Sequence, residues 1–296
     1  MDRYEAVVDR VVSTGEVVLL VGGLDSGKST LSRAVASAGI EAGRTVAYLD
    51  ADLGQKCVGP PTSVGLRLLR ESADAETEAL SRPDALYFVG STSPQGQLLP
   101  LVVGTARMLA RAREEGADLV VIDTNGLVSG VYGQILKYHK IELIRPDLVV
   151  GLQRGGELDP LFGIIQRFFA TELVALPVHP NLRPSSVEER AERREDAFRR
   201  YFAEPLHRWR IKPTVFMPAL PATFEQAVLD RIIVGLSDGE GEYIGLGYLE
   251  HSLEEGVLRL ISPVADAPRA LKLGSVRLEE DFRIRRVDLR NLFGTD

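Results

Sequence analysis

The octet Gly22-Gly23-Leu24-Asp25-Ser26-Gly27-Lys28-Ser29 satisfies the spacing G-x-x-x-x-G-K-[ST], with Thr30 directly behind it. Glycine at both ends lets backbone approach an anion closely, and the amides of Ser26 through Ser29 can point at phosphate from a helix N-terminus. In this pattern Lys28 reaches the β- and γ-phosphates and the Ser29 hydroxyl sits on Mg²⁺, so the nine residues Gly22 to Thr30 are expected to bind ATP. A second group follows in Asp50-Ala51-Asp52-Leu53-Gly54-Gln55. Carboxylates two apart on an extended chain point to the same side. Beside a phosphate loop such a group can hold Mg²⁺ or take a proton from an attacking hydroxyl. Asp50 can equally cap a turn at Gly54. A third group, Asp123-Thr124-Asn125-Gly126-Leu127, closes an apolar run. Asp123 there is a candidate metal ligand, although the same tetrad is a turn former.

These groups need a scaffold that brings them together. Val17–Val21 is an unbroken apolar run, as in a strand buried on both faces, and Leu31, Ala34, Val35 and Ala38 recur at helical spacing up to Gly43. Candidate strands at 17–22, 45–50, 85–90, 118–123, 146–151 and 171–176 alternate with candidate helices at 28–42, 96–115, 130–142 and 158–169. The alternation predicts an α/β fold with a mostly parallel sheet covered by helices, and ligands at the carboxyl ends of its strands. From about Lys212 short β-rich runs separated by turn residues predict a small all-β C-terminal domain, dividing the chain into 1–210 and 211–296. The first residues are expected to lead almost directly into the first strand.

The phosphate loop combined with D-x-D-x-G-Q resembles the polynucleotide 5′-hydroxyl kinases related to the kinase subunit of eukaryotic mRNA 3′-end cleavage and to the ribosomal-RNA-processing kinases. The likeness is strongest over about residues 15–205. It implies that Asp52 is the general base and a metal-site carboxylate, with Gln55 beside it. The family's T-x-G-W clasp, which holds the acceptor, is matched by Thr124, Asn125 and Gly126, with Leu127 where a tryptophan would stack. It also implies a lid helix with paired arginines. Within Ser185–Phe202, Val187, Ala191, Phe198 and Phe202 share one helical face; Arg190 and Arg194 border it, and Arg193 points further outward as a reserve substrate contact. The segment reads equally as a solvated helix laced by pairs such as Glu189 with Arg193. Gln153, after the strand at 146–151, is the candidate base contact, with a plain polar loop as the alternative. The N-terminal β domain of the eukaryotic relatives has no expected counterpart, so ATP would be held by the core itself.

The resemblance implies transfer of the γ-phosphate of ATP to the 5′-hydroxyl end of RNA or DNA, in RNA processing or end repair, with Lys28, Asp52, Arg190 and Arg194 catalytic. One rival is a small-molecule kinase or an ATP-dependent ligase of the dethiobiotin-synthetase kind, suggested by Leu127. Another is an NTPase switch; many of these carry a lysine where Gly23 stands. Composition sets outer limits. Of 296 residues 45% are hydrophobic and 26% charged, and no apolar run nears the length of a membrane span. A single cysteine, Cys57, excludes an internal disulfide framework, and acids at the N-terminus speak against a cleavable signal, so a cytoplasmic protein is expected. Net charge −7 argues against a broad basic nucleic-acid surface. Positive charge is instead focused in residues 183–210, with eight arginines against six acids.

Overall fold

A computed structural model describes residues 3–203, 205–221, 224–252 and 254–293. In chain order its elements begin with α1 (Arg3–Thr14), β1 (Val17–Gly22), α2 (Lys28–Glu41), β2 (Val46–Ala51), β3 (Ser63–Leu69), α3 (Thr77–Leu80) and β4 (Ala85–Phe88). Next come α4 (Leu98–Glu114), β5 (Leu119–Thr124), α5 (Gly130–Ile144), β6 (Leu148–Gln153), α6 (Asp159–Phe168), β7 (Glu172–Pro177) and α7 (Val187–Tyr201). The last part holds β8 (His207–Arg210), β9 (Phe216–Met217), β10 (Ile232–Ser237), β11 (Tyr243–Ser252), β12 (Val257–Ser262), β13 (Ala270–Leu278), β14 (Ile284–Arg286) and α8 (Leu289–Phe293).

Five strands run parallel in the order β2-β5-β1-β6-β7, as the alternating pattern predicts. Alternate residues of these strands feed two cores. Leu19, Leu49, Ile122 and Val149 pack with Leu101, Met108, Leu136 and Leu161 of α4, α5 and α6. Val18, Leu20, Val121 and Val150 pack with Val7, Val11, Leu31 and Val35 of α1 and α2. The carboxyl ends of β1, β2 and β5 therefore converge, and they carry the three groups of candidate residues.

The expectations for two regions need correction. The segment before β1 is not a short lead-in but the helix α1, whose Val7 and Val11 are buried on α2 and the sheet. The 85–90 strand is present but is separated from the parallel set by β3, which is antiparallel to both β2 and β4. Gly65 makes this insertion possible, because a Cβ there would lie 2.4 Å from the Val58 carbonyl oxygen. The C-terminal strands pair antiparallel, except for the short β9, which is parallel to β13; they begin at His207 and join the edge of the same sheet through Tyr243 opposite Leu86. Phe88, Phe198, Phe202, Ile233 and Leu246 form one cluster that ties α7 to β4 and to these strands.

Candidate active site

β1 ends in Gly22, and the loop that follows needs its glycines. A Cβ at Gly22 would stand 2.5 Å from Ser26 Oγ and 2.7 Å from the Leu152 oxygen, and Gly27 has φ +92. Lys28 opens α2 but turns inward, and its Nζ donates to the oxygens of Gly22 (3.1 Å) and Gly23 (2.7 Å). Burial pulls its ammonium below the usual lysine value, while the charges of Asp123, Asp52 and Asp25 oppose that shift. The loop wall, Asp52, Thr124 and α7 enclose a cavity of about 490 Å³.

The two acids of the second group have different partners. Asp50 is buried and saturated: its carboxylate accepts the amides of Asp52 (2.9 Å), Cys57 (2.6 Å) and Val58 (2.9 Å) and pairs with Lys56 Nζ at 3.1 Å. It organises the turn that presents Asp52. Asp52 faces the cavity, and its Oδ1 accepts the amides of Gly54 (2.8 Å) and Gln55 (3.0 Å). No hydrogen bond occupies its Oδ2 among the described residues.

Asp123 closes β5 beneath the loop. Tyr48 donates to its Oδ2 at 3.3 Å, while its Oδ1 is buried without a partner among the described residues. Burial and the Asp50 charge push its carboxyl up to about 6, against the opposing influence of Lys28 and a hydrogen bond from Ser29. Among the described residues no group of three or more His, Cys, Asp or Glu could hold a metal alone. Asp123 lies beside Ser29 with one buried oxygen unpartnered among the described residues, and Ser29 and Asp52 line the cavity; this set fits Mg²⁺, which keeps waters and phosphate oxygens as most of its ligands.

On the third group, Thr124 donates to the Leu20 oxygen at 2.7 Å. Gly126 abuts the phosphate loop so closely that a Cβ would lie 2.6 Å from Leu24 Cδ2 and 2.8 Å from Leu24 N. Leu127 is partly buried against the core and does not line the cavity; apolar side chains that do line it include Leu24, 52% exposed, and Leu182. Two further residues were invisible in the sequence. Lys137 and Lys140 of α5 are wholly buried, and Lys137 Nζ donates to Thr124 Oγ1 (2.8 Å) and to the Asn125 carbonyl (2.9 Å) and side-chain oxygen (3.4 Å). Burial lowers Lys137 strongly and brings Lys140, whose Nζ has no hydrogen-bond partner among the described residues, down to about 7. Their only signal was lysine at i and i+3 beside the apolar positions Leu136 and Ile141.

The arginine segment is α7, capped by Ser186 with Glu189 in a reciprocal box. Asp25 of the phosphate loop latches it: the carboxylate accepts Ser185 N (2.9 Å), Ser185 Oγ (3.3 Å) and Arg190 Nη1 (3.3 Å). Gln55 Nε2 donates to the Arg190 carbonyl at 3.0 Å. The helix buries only the C-terminal half of its expected face. Val187 is 66% exposed while Phe198 and Phe202, with Tyr201 packed beside them, anchor the apolar face, and Arg193 lines the cavity with Arg190 and Arg200 instead of pointing outward. Arg194 runs behind Gly54, with its Nε buried and unpartnered among the described residues, and burial lowers its pKa. Gln153 is not brought to the cavity; it bonds Leu158 N (3.2 Å) and Asp159 (3.4 Å). Its neighbour Arg154 reaches the phosphate loop instead, donating to the oxygens of Leu24 (3.2 Å) and Asp25 (2.5 Å).

A glycine loop folded around an inward lysine, between a central parallel strand and a helix, makes this a P-loop nucleotide-binding protein. Its relatives narrow the class. Residues 22–204 match the family model described as the mRNA cleavage and polyadenylation factor CLP1 P-loop, and the chain belongs to that family. Membership of this P-loop kinase family implies ATP as the nucleotide. The polyribonucleotide 5′-hydroxyl-kinase of Methanocaldococcus jannaschii is 28% identical, over 95% of this chain and 92% of that protein. That of Thermococcus kodakarensis is 30% identical, over 89% of this chain and 88% of its own length. The solved wild-type Clp1p–Pcf11p complex shares the fold, with a TM-score of 0.72 at 14% identity over 92% of this chain and 77% of that one.

Proposed function

We propose that this chain is an ATP-dependent polynucleotide 5′-hydroxyl kinase that acts on RNA ends. The observation that carries the reading is Asp52, whose unengaged Oδ2 belongs to the same cavity as the phosphate loop, Thr124 and Gly126, and the α7 arginines. Similarity along nearly the whole chain to relatives named for that activity supports it, and their names favour RNA over DNA.

The 5′-hydroxyl oxygen bonds to the γ-phosphorus as the bond from that phosphorus to the bridging oxygen of ADP breaks, and Asp52 takes the hydroxyl proton. Lys28 and the loop amides hold the phosphates. Arg190 and Arg193 offset charge on the phosphoryl group as it passes, with Arg194 supporting the turn at Gly54 from behind. Ser29, Asp123 and Asp52 are the residues that would hold Mg²⁺, which would supply charge neutralisation between the β- and γ-phosphates. Gln55 fixes the lid to this turn, and Thr124 and Gly126 border the acceptor. Leu127, which gave weight to a small-molecule acceptor, lies outside the cavity and no longer supports that rival.

The same reading gives a kinase domain followed by a β-rich domain and a cytoplasmic location, with the boundary expected at 210 moved to before His207, because β8 pairs with β12. Among the described residues no helix is long and apolar enough to cross a membrane. ADP release in the presence of matched oligoribonucleotides tests the function. A 5′-hydroxyl end is expected to accelerate it and a 5′-phosphorylated end to leave it at the basal rate. Equal rates with both would refute an acceptor hydroxyl.

A further inference from the structure

Two segments besides the phosphate loop close on the turn after Asp52. A Cβ at Gly54 would lie 3.1 Å from the Thr92 carbonyl oxygen, 3.6 Å from Arg194 Cδ and 3.9 Å from Asp52 Oδ1. The β4–α4 connection and α7 therefore meet beside the proposed base. The C-terminal strands reach the same junction. Ser275 of β13 donates from its backbone nitrogen (2.7 Å) and its Oγ (3.1 Å) to the carbonyl of Gly90, two residues before Thr92, and Val287 N donates to the Ser275 carbonyl at 2.9 Å.

This ladder delivers Arg286, the neighbour of Val287. Along β14, Ile284 packs on the cluster that holds Phe198 and Phe202 of α7, Arg285 turns to the opposite face and pairs with Glu279 at 3.3 Å, and Arg286 turns back toward α7. There its charge reaches Arg194. Burial lowers the Arg194 guanidinium most, the charge of Arg190 comes next and that of Arg286 adds to them, while Glu195 and Asp52 oppose the shift. Among the described residues neither Arg194 nor Arg286 has a side-chain hydrogen bond or ion pair, and Arg194 Nε is buried.

We propose that Arg194 and Arg286 form a phosphate site for the acceptor strand, which takes an internucleotide phosphodiester downstream of the nucleotide whose 5′-hydroxyl meets Asp52. The site rests on a nucleic-acid acceptor, as in the function argued above, and gives the C-terminal strands a part in holding it. Two neighbouring guanidinium groups without a carboxylate repel one another, and a phosphate oxygen shared between them converts that repulsion into charge-assisted hydrogen bonds. Neither arginine lines the phosphate-loop cavity, so the triphosphate does not meet this need. A net charge of −7 gives a nucleic-acid strand no general attraction, so its phosphates require local arginines.

Fluorescence anisotropy of a 3′-labelled 5′-hydroxyl decaribonucleotide, titrated with the full chain at several salt concentrations and without ATP, tests the site. Arg286→Ala is expected to weaken binding about fivefold at low salt and to flatten the slope of log affinity against log salt by about 0.7, the loss of one phosphate contact on a single strand. Arg286→Lys is expected to retain the parental slope. Arg285→Ala, on the opposite face and already paired, is expected to change neither quantity. Separate ATP titration of Arg286→Ala is expected to stay within about twofold of the parent. Parental affinity and slope in Arg286→Ala, an equal loss in Arg285→Ala, or a matching loss of ATP affinity would overturn the site, as would a parent that does not bind the strand. Phosphoryl transfer does not enter these measurements. Transfer to a 5′-hydroxyl with an unchanged slope would sink the site alone, and a flattened slope without transfer would sink the kinase reading alone.

Discussion

Asp52→Asn is expected to bind ATP within about twofold of the parent and to lose about 10²–10⁴-fold in transfer rate. The asparagine oxygen can accept the Gly54 and Gln55 amides as Asp52 Oδ1 does, so the turn is preserved. What changes is the second oxygen, replaced by a group that can neither take a proton nor ligate a cation. Asp50 cannot substitute, because three amides and Lys56 already occupy it. Single-turnover transfer measured beside ATP titration separates the two quantities. Transfer at the parental rate would remove Asp52 from the chemistry.

Lys137→Met is expected to lower kcat/KM for the oligonucleotide about 10²-fold with ATP affinity unchanged. Among the described residues every hydrogen bond that Lys137 makes goes to Thr124 or Asn125, so the residue acts through the position of the acceptor clasp rather than on the reacting atoms. Two effects on stability oppose one another. Orphaning the buried Asn125 carbonyl costs about 1–3 kcal/mol, and removing an amine whose charged form burial disfavours relieves an opposing penalty. Net stability is therefore expected to stay within about 2 kcal/mol of the parent. A purely structural lysine would lower stability and ATP binding together. Measuring denaturant unfolding alongside acceptor KM and ATP affinity distinguishes the two roles.

Much of the scaffold was legible because its signals are local. The apolar run 17–21, the glycine loop and the helical spacing after it each encode one element in a few consecutive residues, and the parallel strands fall within two residues of their expected starts. α1 carries such a signal, since Tyr4, Val7, Val8 and Val11 stand at i, i+3, i+4 and i+7, although charged residues fill the positions between them. β3 was obscured by Gly65 and Arg67, which interrupt the apolar pattern of a strand buried by its neighbours rather than by its own composition.

The site depended more on distant partners. Nothing at Asp50 reveals that amides seven and eight residues on will consume its carboxylate and leave Asp52 to face the cavity. The setting of α7 is fixed by Phe198 and Phe202, and the Phe202 ring packs on Tyr248 at 5.3 Å, from a strand far along the chain. Where the cavity lies beside α7, and so that Arg193 lines it, cannot be read from the helical pattern alone. Lys137 and Lys140 look like surface residues of a helix because their acceptors, or the acidic groups near them, belong to other elements.

The central claim is that γ-phosphate moves to a terminal 5′-hydroxyl. Its most direct measurement incubates the protein with γ-labelled ATP, Mg²⁺ and a 5′-hydroxyl oligoribonucleotide, then digests the product to nucleoside 5′-monophosphates. The account predicts label in the monophosphate of the first nucleotide alone, and none when the oligonucleotide begins with a 5′-phosphate. Label released only as inorganic phosphate, with the oligonucleotide unlabelled, would contradict it.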